Sequence, residues 1–563
     1  MHSMRLADGV PSAFDLERSH MHRRLWLTVS MAALGALLLV VAGFAHAASS
    51  SQAAKKGGTM RLNMSDTDLD FSDPSLSYYV IGWQVEYATG LKLVNYPDKA
   101  APAGARLIPE AAVAMPIISN NGKTYTFTIR KGLRFSDGSA VTAKNFKWAF
   151  DRSATKAQQS PATPFMDDVV GYTNAVDGGK NPANVPGAVA RGNKFILRLT
   201  HPDGGMLSKL AMPFFQAIST KTKVDPHGVT VYPSAGPYYI SSYIRSRHLV
   251  LKKNKYYHGN RPRNIDTFDI EINTDVDQSL LQVRSNQRDY DMGGLPPSAH
   301  ADLAKRYGVN KGQYQVHPLV ETDYIALNTS RPTFSSVKLR KAANFAIDRP
   351  AMLRVRGAFA GKRTDQILPP GMGGFKDVKA YPLKGADYKT AKKLAGNSCK
   401  SVTLYTTTSP IGQGIAQVFK YNLSQMGCDV NIKNFVGGAI YTAMGTKGEP
   451  FDAGVSGWNQ DYPDPYDFLN ILLDGNSIHA ENNNNLAYFN NAKVNKLLAA
   501  ANLKTGAARY KAYGNLDVMI TKNYAPWASY DNRNEREFVS KRTGGYLFQP
   551  ANASADLNTF FLK

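Results

Sequence analysis

Apolar and polar residues alternate strictly over 123–130, which puts Tyr125, Phe127 and Ile129 on one face and predicts a half-buried antiparallel strand. Asn121-Gly122, just before it, has the composition of a turn. Beyond it, Thr142 is placed to cap a helix in which Phe146 and Phe150, four residues apart, share one side. The region 192–318 breaks into short strands and helices, with turn marks at Gly236-Pro237 and Pro296-Pro297. The clearest unit lies at 399–435. An apolar, β-branched strand over 402–406 is followed by Ile411, Ile415, Phe419, Leu423 and Met426 at helical spacing; Gly427 closes the helix, and 429–435 form a second strand. This is a βαβ crossover, so the two strands are expected to be parallel and adjacent. Cys399 and Cys428 each stand directly before one of them, at the same sheet edge. Adjacent strands lie ~4.8 Å apart, inside the ~4.4–6.8 Å Cα window of a disulfide, so a structural Cys399–Cys428 bond is expected.

The N-terminus has a different pattern. His22-Arg23-Arg24 precedes an apolar run over 25–44, and Ala45-His46-Ala47 has the A-x-A form of a cleavage site. A leader over 1–47 is therefore predicted, with Met21 as an alternative start, because Asp8, Pro11, Asp15 and Glu17 are unusual in a leader. The competing reading is an uncleaved anchor, since a run of about 20 apolar residues spans a bilayer. No cysteine follows the run, so a lipobox is absent. A Ser/Ala/Lys/Gly tether fills 48–58, and no second stretch of membrane length appears. The mature chain is expected to be soluble and exported, in the periplasm or at the cell envelope.

Composition narrows the class. With 563 residues, 43% hydrophobic and 10% aromatic, the chain is neither disordered nor fibrous. Its 67 basic and 44 acidic residues give a net charge of +23, but the basic spots at 55–56, 245–248, 252–255 and 338–341 are short and scattered. They read as a solvated surface, not a nucleic-acid patch. Two cysteines and widely spaced histidines offer no zinc site, so neither metal nor cofactor is expected.

Catalytic patterns are fragmentary. Ser335-Ser336-Val337-Lys338 and Lys504-Thr505-Gly506 match two elements of the penicillin-recognising serine enzymes, but the second falls in a helix-to-helix connection where it cannot line a strand. Gly412-Gln413-Gly414 lacks the third glycine of a dinucleotide loop. No catalytic residue is assigned. What remains is the segment from Gly457 to Phe468, which carries Trp458, Asp461, Tyr462, Asp464, Tyr466 and Asp467 together with Pro463 and Pro465, after a strand expected at 451–456. It reads as a loop at a strand end. An aromatic platform beside an unneutralised carboxylate suits an ammonium group. An Asp/Pro turn with its aromatics packed inward accounts for the same residues.

Several blocks in fixed order carry a resemblance. Leu107 to Ala112 leads into Gly122 to Gly138, then Val141 to Phe146 and Ala149 to Arg152. Gly236-Pro237-Tyr238, Leu327 to Ser330, Arg340 to Arg349, Pro369-Pro370-Gly371, the Gly457–Phe468 segment and Ala525-Pro526-Trp527 follow. Over nearly all of 57–563 the chain resembles the family 5 extracellular solute-binding proteins of ABC importers, the oligopeptide/dipeptide/nickel-binding group. The resemblance implies an α/β fold of two lobes that close on ligand like a flytrap, with an extra antiparallel subdomain in the first lobe. Laid onto this chain, lobe I takes 59–318 plus 530–563 and lobe II takes 319–529. It implies a monomer that captures peptides and hands them to an ABC permease, with no nucleic-acid partner and no membrane contact except through that permease or an uncleaved anchor. Peptide-binding members hold the ligand's α-ammonium with an Asp three residues after the Trp of this segment, which here is Asp461 after Trp458. Asp461, Trp458, Asn459 and Tyr462 are the expected ligand-binding set. A sugar, an opine or a metal chelate is the alternative cargo, and a serine hydrolase acting on cell-wall peptides a remote one. In the block from Asn491 to Leu498, Asn495 stands where many members have Asp, at an expected surface helix start.

Overall fold

The computed structural model describes residues 56–563; the expected leader over 1–47, its cleavage site and most of the tether lie outside the described residues. The first of two large sheets grows from the strand Thr59–Ser65, in which Met60, Leu62 and Met64 are fully buried at a period of two. It runs parallel to Thr267–Thr274, with Leu62 opposite Ile270. The sheet order is Tyr290–Asp291, Thr59–Ser65, Thr267–Thr274, His248–Lys253, Tyr238–Ile244.

The strand expected at 123–130 is Thr124–Thr128, entered through Asn120 and Asn121 at positive φ. It belongs to a separate four-stranded antiparallel sheet with Ile117–Ser119, Lys194–Arg198 and Ala188–Arg191. The helix Ala143–Ser153 covers that sheet: Phe150 and Phe146 pack on Phe195 with ring centroids 5.6 and 6.2 Å apart. Its start is fixed by Asn145, whose Oδ1 accepts the Thr142 N–H at 2.7 Å.

The second large sheet has the order Tyr314–Pro318, Trp527–Phe538, Glu321–Leu327, Ala453–Asn459, Ser401–Thr407, Asp429–Phe435, with Gly361–Arg363 also paired to Trp527–Phe538. The βαβ unit lies here. Ser401–Thr407 and Asp429–Phe435 are parallel and in register from Ser401↔Asp429 to Thr407↔Phe435, and the helix Pro410–Ser424 crosses between them. Ile415, Phe419 and Leu423 are fully buried on its inner side. Cys399 and Cys428 are joined, with Cα atoms 5.0 Å apart. The bond closes a separation of 29 residues, so replacing both cysteines by Ala should lower the unfolding free energy by up to about 3–4 kcal/mol in the loop-entropy account. Chemical denaturation of the two proteins measures it, and coincident midpoints would show that the bond constrains nothing.

The strand Trp527–Phe538 links the parts of the molecule. Its start pairs with Glu321–Leu327 and its end with Tyr314–Pro318, while the next residue, Val539, bridges to Tyr290 in the first sheet. The fold is thus two-lobed, one lobe on each large sheet, with the antiparallel subdomain beside the first. Among the described residues no helix is long and apolar enough to cross a membrane.

Two local expectations need revision. The segment from Gly457 to Phe468 is not a loop throughout. The strand Ala453–Asn459 continues through Trp458, and the helix Tyr466–Leu473 begins directly after Pro465, leaving only 460–465 irregular. A proline is well suited to the start of a helix, where its missing N–H would have no partner in any case. Asn495 is not at a surface helix start. It is buried in the first turn of Ala492–Asn502, where its Oδ1 accepts the Gly475 N–H at 3.1 Å. The Gly412-Gln413-Gly414 fragment is helical, and a Cβ on Gly414 would stand 2.6 Å from Val355, so a glycine there permits close helix packing. The fragments that resemble a serine enzyme remain structural: the Ser335 hydroxyl donates to the Pro332 carbonyl, and Lys504 to Gly506 joins two helices.

Candidate ligand site between the lobes

The strand Ala453–Asn459 is central in its sheet, with Trp458 opposite Thr322 and Asn459 opposite Glu321. The irregular 460–465 therefore leaves the sheet from a fixed point. Its course is set by Asp464 within it and by Asp467 just after it. Asp464 accepts a two-pronged contact from Arg509, with Nη2 to Oδ1 at 2.8 Å and Nε to Oδ2 at 2.9 Å, both side chains buried. Asp467, in the first turn of the following helix, accepts the main-chain N–H of Asp461 at 2.9 Å and the indole N–H of Trp458 at 3.3 Å, both on Oδ2. Asp467 thus draws Trp458 and Asp461 together on one side of the turn.

The other side of the site comes from the first lobe. After the acidic stretch over 65–74 the chain turns at Asp73, which Arg152 holds through two bonds of 2.9 and 2.7 Å. Asp73 also accepts from Ser75 and from the Val229 N–H. The turn delivers Tyr78, whose hydroxyl donates to Asp461 Oδ2 at 2.8 Å. Tyr78 stands among Trp83, Phe214, Phe165 and Trp458, at centroid distances of 5.9, 5.7, 6.2 and 6.2 Å. Tyr462 meets Phe165 edge-on at 6.1 Å. Further contacts close the same seam: Lys209 lies over the Tyr466 ring at 4.3 Å, and Arg509 reaches Asp203 at 3.9 Å.

The acids here divide sharply. Asp464 and Asp203 have basic partners in Arg509 and Lys209. Among the described residues, no lysine, arginine or histidine forms an ion pair with Asp461 or Asp467. Burial pushes the Asp461 carboxyl up to about 7. Burial, then the neighbouring Asp461, hold Asp467 well above the usual carboxylate range. Asp461 is half-buried and Asp467 is 0% exposed. A carboxylate without a counter-ion in an aromatic enclosure can accept a cation by a charge-assisted bond and by attraction to the ring faces. A cavity of about 390 Å³ opens beside Tyr79 and Val80, continues along Met292 and Gly294, and reaches Arg356, Arg533 and Glu535.

Of the four expected ligand-binding residues, Asp461 and Trp458 come together as a pair through Asp467. Tyr462 is turned inward, 1% exposed, with its hydroxyl buried and without a hydrogen-bond partner. Asn459 donates to the Gln460 carbonyl at 3.2 Å, and its Oδ1 is buried and unpartnered. Sequence reasoning missed Tyr78, which lies 383 residues from Asp461. It also counted Asp467 only as one of three loop acids. The adjacent aromatics Tyr78-Tyr79 after an acidic stretch were the available signal, and nothing in their spacing tied them to 461.

Two lobes meeting over an uncompensated carboxylate define a solute-binding protein. Residues 106–480 match the model of the bacterial extracellular solute-binding proteins, family 5 Middle, and the chain belongs to that family. It is 25% identical over 514 residues to the oligopeptide-binding protein OppA of Bacillus subtilis, covering 86% of this chain and 89% of that protein. The periplasmic oligopeptide-binding protein OppA of Salmonella typhimurium is 26% identical over 463 residues, 78% of this chain and 82% of its own. Among solved structures, the clavulanic acid biosynthesis oligopeptide binding protein 2 superposes with a TM-score of 0.81 at 21% identity, over 90% of this chain and 96% of that one.

Proposed function

We propose that this protein captures peptides between its lobes and delivers them to the permease of an ABC importer. The observation that carries the reading is Asp461, a carboxylate with no basic partner that takes a hydroxyl from the opposite lobe inside an aromatic enclosure. A peptide's α-ammonium supplies the missing charge. Specificity then rests mainly on main-chain groups, which every peptide has. The relatives named oligopeptide-binding proteins support the same cargo. On this reading lobe I comprises 59–318 plus 530–563 and lobe II comprises 319–529, with Tyr314–Pro318 and the end of Trp527–Phe538 crossing into the second sheet at the boundary, and the protein acts as an exported monomer. The disulfide suits an oxidising compartment.

Calorimetric titration with a free-amine tripeptide and its N-acetylated form tests this. The free amine should bind at least about 30-fold tighter, the lower end of what a lost partner in a buried charge pair costs. Equal affinities would remove the ammonium anchor, and failure of both peptides to bind would point to a sugar, an opine or a metal chelate.

A further inference from the structure

Asp467 has no role in the capture scheme above, yet it is the more deeply buried of the two acids. Its Oδ2 already accepts two N–H donors, from Asp461 and from Trp458. Its Oδ1 is buried with no hydrogen-bond partner among the described residues. The 2.9 Å bond from the Asp461 main-chain N–H to Asp467 Oδ2 makes the two acids neighbours, and each raises the other's proton affinity or lowers it according to which holds the proton. Tyr78 from the first lobe bonds Asp461 and Trp458 from the second bonds Asp467; among the described residues no basic side chain pairs with either acid. Two like charges this close, enclosed and without a cation, do not both ionise.

We propose that Asp467 is a positioning residue that keeps its proton on Oδ1, donates it to Asp461, and so makes Asp461 the single carboxylate for which a ligand cation and a solvent proton compete. This rests on the ammonium-capture reading and adds a regulation to it. The assignment to Oδ1 follows from geometry, since Oδ2 is occupied as an acceptor. Donation from Asp467 favours the ionised form of Asp461, which opposes the upward push of burial. Binding to protonated Asp461 requires that proton to leave for solvent as the ammonium docks. The bond from Asp467 remains, and the occupied site is neutral: one carboxylate, one cation and one neutral acid.

The direction with pH follows. Only ionised Asp461 accepts a cation and only the ammonium form supplies one, so affinity is highest between the Asp461 midpoint of about 7 and the peptide's α-ammonium pKa of about 7.7–8.0, and falls up to about tenfold per pH unit on either side. Trialanine titrated by calorimetry from pH 5.5 to 8.5, in buffers of differing ionisation enthalpy, should release close to one proton near pH 6, almost none net near pH 7.5, and take up most of one at pH 8.5, where the free amine must be recharged to bind. Asp467→Ala removes the donor and should move the midpoint to higher pH. Asp467→Asn places an amide donor where the O–H stood and should return the midpoint to the wild-type position. If Asp467→Asn instead lowers the midpoint by a pH unit or more, Asp467 carries a charge and the proposal is overturned. A wild-type affinity independent of pH overturns it as well. If trialanine does not bind at any pH, the peptide reading is what fails. The proton is then read directly in ligand-free protein labelled with carbon-13 at the aspartate carboxyls. A protonated Asp467 signal at pH 7, identified by its loss in Asp467→Asn, supports the pair, and an ionised one overturns it.

Discussion

Asp461→Asn should weaken the binding of a free-amine peptide by about 30-fold to several-thousand-fold, or ~2–5 kcal/mol, when measured near pH 7.5, where the peptide amine is still mostly charged. Asn keeps the size of the side chain and still accepts the Tyr78 hydroxyl, so the aromatic enclosure stays in place. The main-chain N–H that Asp467 accepts is untouched. What disappears is the full negative charge, and desolvating an ammonium without one costs several kcal/mol. An N-acetylated peptide should be nearly indifferent to the same substitution. Titrating both peptides against both proteins makes a double-mutant cycle, in which the coupling term isolates the charge pair from changes in packing. If the variant binds the free amine as tightly as the wild type does, Asp461 is not the anchor.

The second large effect is expected far from any ligand. Arg152 and Asp73 are 1% and 0% exposed, and they pair through two bonds. Asp73→Asn leaves the guanidinium buried without a counter-charge and should destabilise the protein by about 3–5 kcal/mol in denaturant unfolding. The Lys223 carbonyl still accepts from Arg152 and keeps part of its hydrogen bonding, which places the expectation at the lower half of that range. Because the Asp73 turn presents Tyr78, the variant should also lose affinity for peptide. A loss of stability below ~1 kcal/mol would show that the pair is not what holds this turn.

The sequence was most informative where structure is local. The alternation around Phe127, the Phe146 and Phe150 spacing and the βαβ crossover each depend on neighbours within about 30 residues, and the ordered blocks carried the two-lobed fold. The site was only half legible. Asp461 and Trp458 stand in one short segment, whereas Tyr78 reaches Asp461 through the packing of one lobe on the other, which no periodicity encodes. The prolines at 463 and 465 suggested a loop on both sides, but the strand ran on through Asn459 and Pro465 opened a helix. Asp467 therefore reads as a solvated turn acid in sequence. Its burial comes from the helix that begins beside it.

The strand Trp527–Phe538 has a mechanical consequence. Because it is paired along its whole length, first to Glu321–Leu327, then to Gly361–Arg363 and at its end to Tyr314–Pro318, and its continuation bridges the first sheet at Tyr290, it forms a pleated ribbon with no slack linker in it. Opening such a molecule bends a crease: the rotation is shared as small changes of twist over many peptide units, and the ribbon stores elastic energy as it flexes. The motion has a preferred axis and a restoring torque, so a released ligand leaves behind a clamp already biased in how far it gapes.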